Sequence, residues 1–201
     1  MGFLAEHCVM APLTSSLRAR LTGIACKHEP DIEHFFAEES VLNDSQMLST
    51  TYCMYLQETS EAVCAFCVSS SDVSVDLIPK RARNKINRRI PYVKQRDHYP
   101  AVLVGQLAVF DKFASLHLGD ELMELIKLWI VTVANHIAAR YIIVDAVNDS
   151  HVISYYERNG FSLVFTTEEV ERQANEIDES ENLKTRFMLS DLMPIRQKLT
   201  I

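Results

Sequence analysis

The sequence contains no apolar run of the roughly 18 to 20 residues that a membrane-spanning helix requires. Its first residues, MGFLAEHCVMAPLTSS, place no basic segment ahead of their apolar residues, which is unlike a secretory signal. Gly2 suits N-myristoylation, but Glu6 stands where that motif needs Ser or Thr. Internal repeats and low-complexity linkers are also absent. We therefore expect a soluble, cytoplasmic protein with no membrane partner.

Cysteine is too scarce and too unevenly paired for a disulfide framework. Five cysteines are present, an odd number that suits a reducing compartment. The stretch CAFC at residues 64–67 has CxxC spacing, which can indicate zinc or redox chemistry, but no second CxxC or His pair follows. The surrounding AVCAFCV is typical of a buried strand, on which residues three apart face opposite sides. We therefore predict core cysteines and no metal site.

Charge is distributed unevenly along a chain of net charge −7. Residues 80–98 contain eight Lys or Arg and one Asp, whereas residues 168–181 are strongly acidic. The basic segment fits a solvated helix and loop, a contact with nucleic acid, or a dock for an acidic peptide or a second copy of the chain. The overall negative charge argues against general nucleic-acid binding.

Apolar patterning over the 201 residues, 48% of them hydrophobic, predicts one mixed α/β domain. Nearly continuous apolar runs at 99–110 and 141–147 are typical of central strands covered on both faces. A helix is predicted at 118–140, with Leu122, Leu125, Ile126, Trp129, Val133 and Ile137 on its buried face. The other predicted elements are strands at 6–11, 49–58, 62–71, 161–165 and 185–192, and helices at 31–42, 80–90 and 149–159.

The stretch FASLHLGDELM, residues 113–123, connects a predicted strand to the long helix. The first turn of a helix leaves N–H groups without intrahelical partners and carries partial positive charge, so this position suits an anion. The stretch matches neither a Walker loop nor GxGxxG and holds one glycine, Gly119. Taken alone, it fits an ordinary strand-to-helix turn better than a phosphate site.

Two longer blocks, however, resemble the GNAT superfamily of acyl-CoA-dependent N-acyltransferases. QLAV at 106–109, Gly119 and YYERNGF at 155–161 match the order and spacing of that family's motifs. The upstream helix, strand pair and basic linker are similar to the branch that includes acetyltransferase toxins. The resemblance covers roughly residues 26–192, with a core sheet flanked by helices inside a single domain spanning 1–201, and its second block is the more specific.

The resemblance implies that acetyl-CoA is the co-substrate. Backbone groups of Leu107 and Val109 would pair with the pantetheine arm, and an N–H of this strand would polarise the thioester carbonyl. N–H groups between residues 115 and 120 would bind the pyrophosphate. The full implied set for the cofactor is Leu107, Ala108, Val109, Ser115, Leu116, His117, Leu118, Gly119, Asp120 and Asn148.

The loop departs from the family pattern at two positions. Ala114 replaces a Gln or Arg, so a side-chain donor to the pyrophosphate is missing. His117 replaces a glycine; its side chain would crowd the cofactor, bond a phosphate, or simply be exposed or cap the turn. Asp120 suits the helix start in the free protein but would repel a phosphate placed too near it.

The resemblance implies a catalytic role for Tyr156, as the acid that protonates the leaving thiolate. The alternative is an aromatic residue packed on the sheet, as we expect for Tyr155 in the core. Asn148 or Asp149 would touch the cofactor or, more in keeping with their place before a helix, cap it. No general base is singled out; the nearby candidates are His98, Tyr99, Gln106 and Asp111.

The sequence thus predicts an N-acetyltransferase that moves an acetyl group to a primary amine. The acceptor stays open between aminoacyl-tRNA, contacted through 80–98, and a small-molecule or peptide amine. A homodimer is implied by the family alone. The alternative is a non-catalytic GNAT-like binding module, suggested by Ala114 and His117.

Overall fold

The computed structural model describes residues 2–88, 90, 97–132, 138–178 and 181–199. The chain divides into two compact units. Unit 1 comprises Met1–Ser69 and Val104–Ile126, and unit 2 comprises Ser70–Leu103 and Lys127–Ile201. The bounds of the predicted domain, 1–201 with a core at about 26–192, stay a prediction.

In the described part of the chain, seven strands form one mixed sheet in the order β1-β2-β3-β4-β5-β7-β6. The β1–β2, β2–β3, β5–β7 and β6–β7 pairs are antiparallel, whereas β4–β5 is parallel. This confirms the predicted mixed α/β class. The strands are β1 (Cys8–Pro12), β2 (Thr50–Leu56), β3 (Glu61–Ser74), β4 (His98–Val109), β5 (Tyr141–Val147), β6 (Ser162–Leu163) and β7 (Thr185–Asp191).

Most of the predicted helices are present but shorter than expected. The predicted helix at 31–42 is interrupted by a π-helical turn at Phe35–Glu39, and a helix that was not predicted precedes β1. The helices are α1 (Phe3–His7), α2 (Ser15–Arg18), α3 (Pro30–His34), α4 (Ser40–Ser45), α5 (Lys80–Asn87), α6 (Gly119–Val131), α7 (Ser150–Arg158), α8 (Glu168–Ala174) and α9 (Met193–Leu199).

The core of unit 1 forms between its helices and the strands β2, β3 and β4. Phe36 is fully buried and meets Phe110, at the end of β4, edge to face with ring centroids 6.0 Å apart. Ala108 of β4 belongs to the same cluster. The last residues of β4 are therefore held by apolar packing on one face.

The core of unit 2 covers one face of β5. Tyr141 and Ile143 pack there with Ile86 of α5 and Tyr99 of β4. At the edge of this unit, the buried carboxylate of Glu171 accepts hydrogen bonds of 2.6 Å from both Arg186 Nε and the backbone N–H of Phe187. These two hydrogen bonds hold α8 against β7.

The prediction that the CAFC cysteines lie in the core is confirmed, because Cys64 and Cys67 are both buried. Cys26, Cys53, Cys64 and Cys67 are buried free thiols, and Cys8 is half-buried. Among the described residues, no group of three or more His, Cys, Asp or Glu is placed to hold a metal ion. None of the described helices has the length and apolar character needed to span a bilayer.

The predicted inner face of α6 is only partly right. Leu122 and Ile126 are buried, but Leu125 and Trp129 are half-exposed. The structure buries Met123, Lys127, Ile130 and Val131 instead, so the inner face is rotated by about one residue position. Val133 and Ile137 lie outside the described residues. A lysine at 6% exposure explains the error, because a hydrophobicity pattern assigns lysine to the outer face.

Candidate active site

In unit 1, the end of β4 presents two backbone donors at its outer edge. The N–H of Gln106 donates to Cys67 Sγ at 3.1 Å, and the N–H of Phe110 donates to Val63 O at 3.0 Å, so both point towards β3. Because backbone groups alternate in direction along a strand, the N–H groups of Leu107 and Val109 point away from β3. Within unit 1 this is the outer edge of the last strand, where an extended amide-containing ligand can pair with β4.

The segment after β4 is a 3-10 helix at Asp111–Leu116 rather than an open loop. His117 ends it in the left-handed conformation, with φ 52° and ψ 42°, and donates its N–H to Ala114 O at 3.3 Å. This is the conformation that glycine adopts most easily. His117 thus adopts a conformation in which a glycine would be unstrained, and its side chain is exposed.

The 3-10 helix limits which N–H groups can bind an anion. Ser115 and Leu116 lie in its last turn, where each N–H is directed at the carbonyl three residues earlier. The remaining source of partial positive charge is the first turn of α6, which begins at Gly119 directly after buried Leu118. Asp120 is exposed in that turn.

A second acidic residue in the first turn of α6 is directed at the N-terminal segment. Glu121 Oε1 accepts the N–H groups of Leu4 at 2.8 Å and of Ala5 at 3.2 Å. The ring centroids of Phe3 and Phe113 are 6.2 Å apart, so α1 also contacts the 3-10 helix. Sequence reasoning missed this contact because its residues are 117 positions apart and carry no local motif.

In unit 2, both ends of α7 are defined by their predicted residues. Asp149 Oδ1 caps the start by accepting the N–H groups of His151 at 2.8 Å and Val152 at 3.3 Å. Gly160 follows the C-terminal end of α7 with φ 78°, and the N–H of Phe161 donates a hydrogen bond to Tyr156 O at 3.0 Å. The predicted cap and terminating glycine are therefore confirmed.

Tyr156 lies on α7 with its ring 5.1 Å from that of Tyr155 and 5.3 Å from that of Phe161, measured between centroids. Burial raises the pKa of the Tyr156 phenol, so the hydroxyl is protonated at neutral pH. Among the described residues this hydroxyl has no hydrogen-bond partner. Tyr155 is half-exposed, which corrects the expectation that it lies in the core.

A buried lysine lies beyond the end of α7. Lys127 Nζ donates to Asn159 O and to Ser190 Oγ, the latter at 3.3 Å, and lies 4.4 Å from the centroid of the Phe161 ring. Burial lowers the pKa of Lys127 to about 8. The side chain satisfies a terminal carbonyl of α7 and complements the negative end of its dipole.

Asn148 directs both of its amide hydrogens into unit 2. Its Nδ2 donates to Glu168 Oε1 at 3.0 Å and to Leu183 O at 2.9 Å. The capping role belongs to Asp149 alone. Only the Asn148 side-chain oxygen is left for the implied contact with the cofactor, which stays a prediction.

The four candidates for a general base have separate local roles. His98 pairs with Asp72 at 2.5 Å, which raises the pKa of its imidazole. The Tyr99 hydroxyl donates to Asn87 Oδ1 at 2.9 Å. Gln106 binds Cys67 through its backbone, and Asp111 accepts the N–H of Lys27 at 3.2 Å. None of these contacts singles out a base.

The basic segment forms the short helix α5, which packs on the core of unit 2 through Ile86. Arg83 is committed to structure, because its guanidinium donates to Val75 O and Asp76 O. A groove runs between α5 and residues 163–166, and it is lined by Arg81, Lys85 and Arg88. Arg89 and residues 91–96, also part of the basic segment, lie outside the described residues.

No family model and no curated protein matches the sequence. Solved structures match over nearly the whole chain. A tyrosine-to-phenylalanine mutant of KacT is 16% identical, with a TM-score of 0.63 over 96% of this chain and 99% of its own. AtaT complexed with acetyl-methionyl-tRNAfMet is 15% identical, with a TM-score of 0.62 over the same shares. AtaTR bound with AcCoA is 15% identical, with a TM-score of 0.60, again over 96% and 99%.

Each of these likenesses covers 96% of the chain. They extend over the whole described sheet rather than over one motif. The chain therefore has the GNAT fold of these solved structures.

Proposed function

We propose that this protein is an N-acetyltransferase that uses acetyl-CoA and acetylates a primary amine. The observation that carries the proposal is the outer edge of β4 in unit 1, where Leu107 and Val109 present their N–H groups ten to twelve residues before α6 begins at Gly119. An extended ligand with amides at one end and phosphates at the other matches this order of donors.

The residues of unit 1 fit such a ligand at three points. Leu107 and Val109 would hydrogen-bond the pantetheine amides, and one of these N–H groups would stabilise negative charge on the thioester oxygen. The first turn of α6, at Gly119, would face the phosphates with its partial positive charge. His117 keeps the required turn, and Ala114 leaves phosphate binding to the backbone. Bound acetyl-CoA supplies an activated acetyl group.

Tyr156 would act as the general acid. As the amine nitrogen bonds to the carbonyl carbon, the carbon–sulfur bond breaks, and the Tyr156 hydroxyl gives its proton to the sulfur. A half-buried phenol with a raised pKa and no hydrogen-bond partner among the described residues suits this role. The amine loses its proton to solvent, and solvent returns a proton to the Tyr156 phenolate, so the net reaction moves one proton from the amine to the sulfur.

The acceptor side of the proposal rests on α5. Arg81, Lys85 and Arg88 line one groove of unit 2, so phosphates of an aminoacyl-tRNA would find three cations there. AtaT, which shares the fold, was solved with acetyl-methionyl-tRNAfMet. A cytoplasmic location and a homodimer stay predictions.

Isothermal titration with acetyl-CoA tests the function. We expect saturable binding that weakens as salt rises, since phosphates are part of the ligand. No heat at millimolar ligand would refute the enzyme and favour the alternative, a non-catalytic binding module.

The tRNA acceptor needs its own test. Acetylation of charged tRNA should fall when Arg81, Lys85 and Arg88 are changed to Gln together, with a weaker salt dependence. The control is a second triple variant that removes the same number of positive charges from unit 1, by changing Arg18, Arg20 and Lys27 to Gln. Equal activity of the α5 variant and the control would remove α5 from acceptor binding.

A further inference from the structure

One acidic side chain interrupts the otherwise apolar strand β5. The strand reads YIIVDAV, and Asp145 is exposed within it, as is Val147 at 58%. Among the described residues, Asp145 forms no ion pair or hydrogen bond through its side chain. A carboxylate in a central strand has no packing role, which makes it a candidate for binding.

The face that carries Asp145 follows from the alternation of β5. Tyr141 and Ile143 belong to the core cluster that α5 covers. Because alternate residues of a strand share a face, Asp145 and Val147 lie on the same face of the sheet, further along β5 than that cluster. The basic helix and the exposed carboxylate thus share one face of the sheet in unit 2. Asp145 lies about 7 Å along the strand from Ile143, the last residue of β5 in that cluster.

Register defines the neighbours of Asp145. Asp145 is opposite Phe187, and Val147 is opposite Thr185, on antiparallel β7. The backbone N–H of Phe187 donates to Glu171, and its carbonyl accepts from Val164, so neither group bonds to β5. Asp145 and Phe187 are therefore a pair without mutual hydrogen bonds, the type in which side chains approach closest.

Resting on the proposed function, we infer that Asp145, Val147, Thr185 and Phe187 form the acceptor site, which binds a primary ammonium group with an apolar substituent beside it. Asp145 binds the ammonium by a charge-assisted hydrogen bond. The half-exposed ring of Phe187 and the exposed Val147 contact the apolar substituent. Although Asp145 is exposed, partial desolvation beside the apolar cluster raises the pKa of its carboxyl.

The test measures binding to the chain alone, without acetyl-CoA. Leucinamide carries an ammonium beside an isobutyl group, glycinamide lacks the apolar group, and N-acetyl-leucinamide lacks the ammonium. Backbone amide shifts of β5 and β7 are followed by NMR during titration. We expect leucinamide to bind about 10-fold tighter than glycinamide, and N-acetyl-leucinamide not to bind.

Variants locate the site. Asp145→Asn, nearly equal in volume, should weaken leucinamide binding about 10- to 100-fold. Phe187→Leu should remove much of the preference over glycinamide. Asp31→Asn, at an exposed carboxylate of α3, is the matched control and should bind as the wild type does. A thermal melt of each variant shows that it is folded.

The outcomes separate this inference from the proposed function. No saturable binding of leucinamide up to about 100 mM, or equal binding by Asp145→Asn, overturns the acceptor site. Those results leave acetyl-CoA binding untouched. Failure to bind acetyl-CoA overturns the proposed function, whereas the amine titration still reports on Asp145.

Discussion

The start of α6 in unit 1 and the end of α7 in unit 2 each depend on one residue in the left-handed conformation. At the end of α7 that residue is Gly160, with φ 78°, as the motif YYERNGF requires. Before α6 it is His117, with φ 52°, where the family pattern expects a glycine. The end of α7 therefore has the glycine that its predicted motif contains, whereas the turn before α6 reaches the left-handed conformation with a histidine.

This difference shows that a residue other than glycine can hold a left-handed turn when the surrounding structure supports it. The turn at His117 is supported by the 3-10 helix before it and by α1, which is bound to Glu121. The end of α7 is supported by Lys127 at the carbonyl of Asn159. The left-handed turn before α6 therefore forms without a glycine at position 117.

The largest effect is expected at Tyr156, on the helix whose motif is intact. Tyr156→Phe should lower the turnover of acetyl transfer by about 10- to 1000-fold, because the leaving thiolate loses its proton donor. The affinity for acetyl-CoA, measured by titration calorimetry, should hardly change. Tyr155→Phe is the matched control on the same helix. Equal turnover by the two variants would show that Tyr156 has no chemical role.

The next effect concerns the pH dependence of stability at Lys127. Its pKa is about 8 in the folded chain, against an ordinary 10.5, so the unfolded chain binds more protons between these values. The free energy of unfolding of the wild type should therefore rise relative to Lys127→Met by about 1 to 2 kcal/mol as pH increases from 8 to 10.5. Below pH 8 the difference should be constant.

Denaturant titrations at several pH values measure this dependence. Lys112→Met is the control, because Lys112 is exposed and pairs with Glu61 at the surface. The same pH profile for both variants would mean that Lys127 is not buried as described.

Much of this architecture could be predicted from local patterns. Runs of apolar residues predicted β4 and β5, and Asp149 and Gly160 marked the ends of α7, because caps and left-handed turns depend on single residues. The 3-10 helix at 111–116 was missed, since its residues carry no local signal for that geometry. Asp145 was missed as well, because it becomes notable only when its neighbours on β7 are known.

The errors in the predicted inner face of α6 also arise from contacts between residues distant in sequence. Buried Lys127 donates a hydrogen bond to the carbonyl of Asn159, and Glu121 accepts one from the N–H of Leu4. Both polar side chains therefore have partners distant in sequence. A hydrophobic pattern cannot register such partners. The structure was needed to show which polar residues of α6 face inward.

A smaller effect is expected at Gly160. Gly160→Ala should reduce the free energy of unfolding by about 1 to 2 kcal/mol, because a residue with a Cβ is strained at φ 78°. The added Cβ would lie 3.8 Å from Lys127 Nζ, an ordinary contact, so the loss would come from the backbone. Gly160→Asn should lose less, since asparagine tolerates this conformation. Equal losses in thermal or urea unfolding would point to crowding instead.

The smallest effect, and the most informative for the loop, is expected at His117. His117→Gly should stabilise the fold by about 0.5 kcal/mol, because relief of left-handed strain slightly exceeds the entropy that glycine adds to the unfolded chain. Acetyl-CoA affinity separates the roles of the side chain. If His117 only preserves the turn, affinity should stay within about 3-fold, whereas a loss above about 10-fold would make its imidazole a phosphate ligand. His117→Asn keeps the turn and removes the imidazole, so a loss shared by both variants must come from the side chain. A loss confined to glycine would instead show that acetyl-CoA depends on the rigidity of the turn.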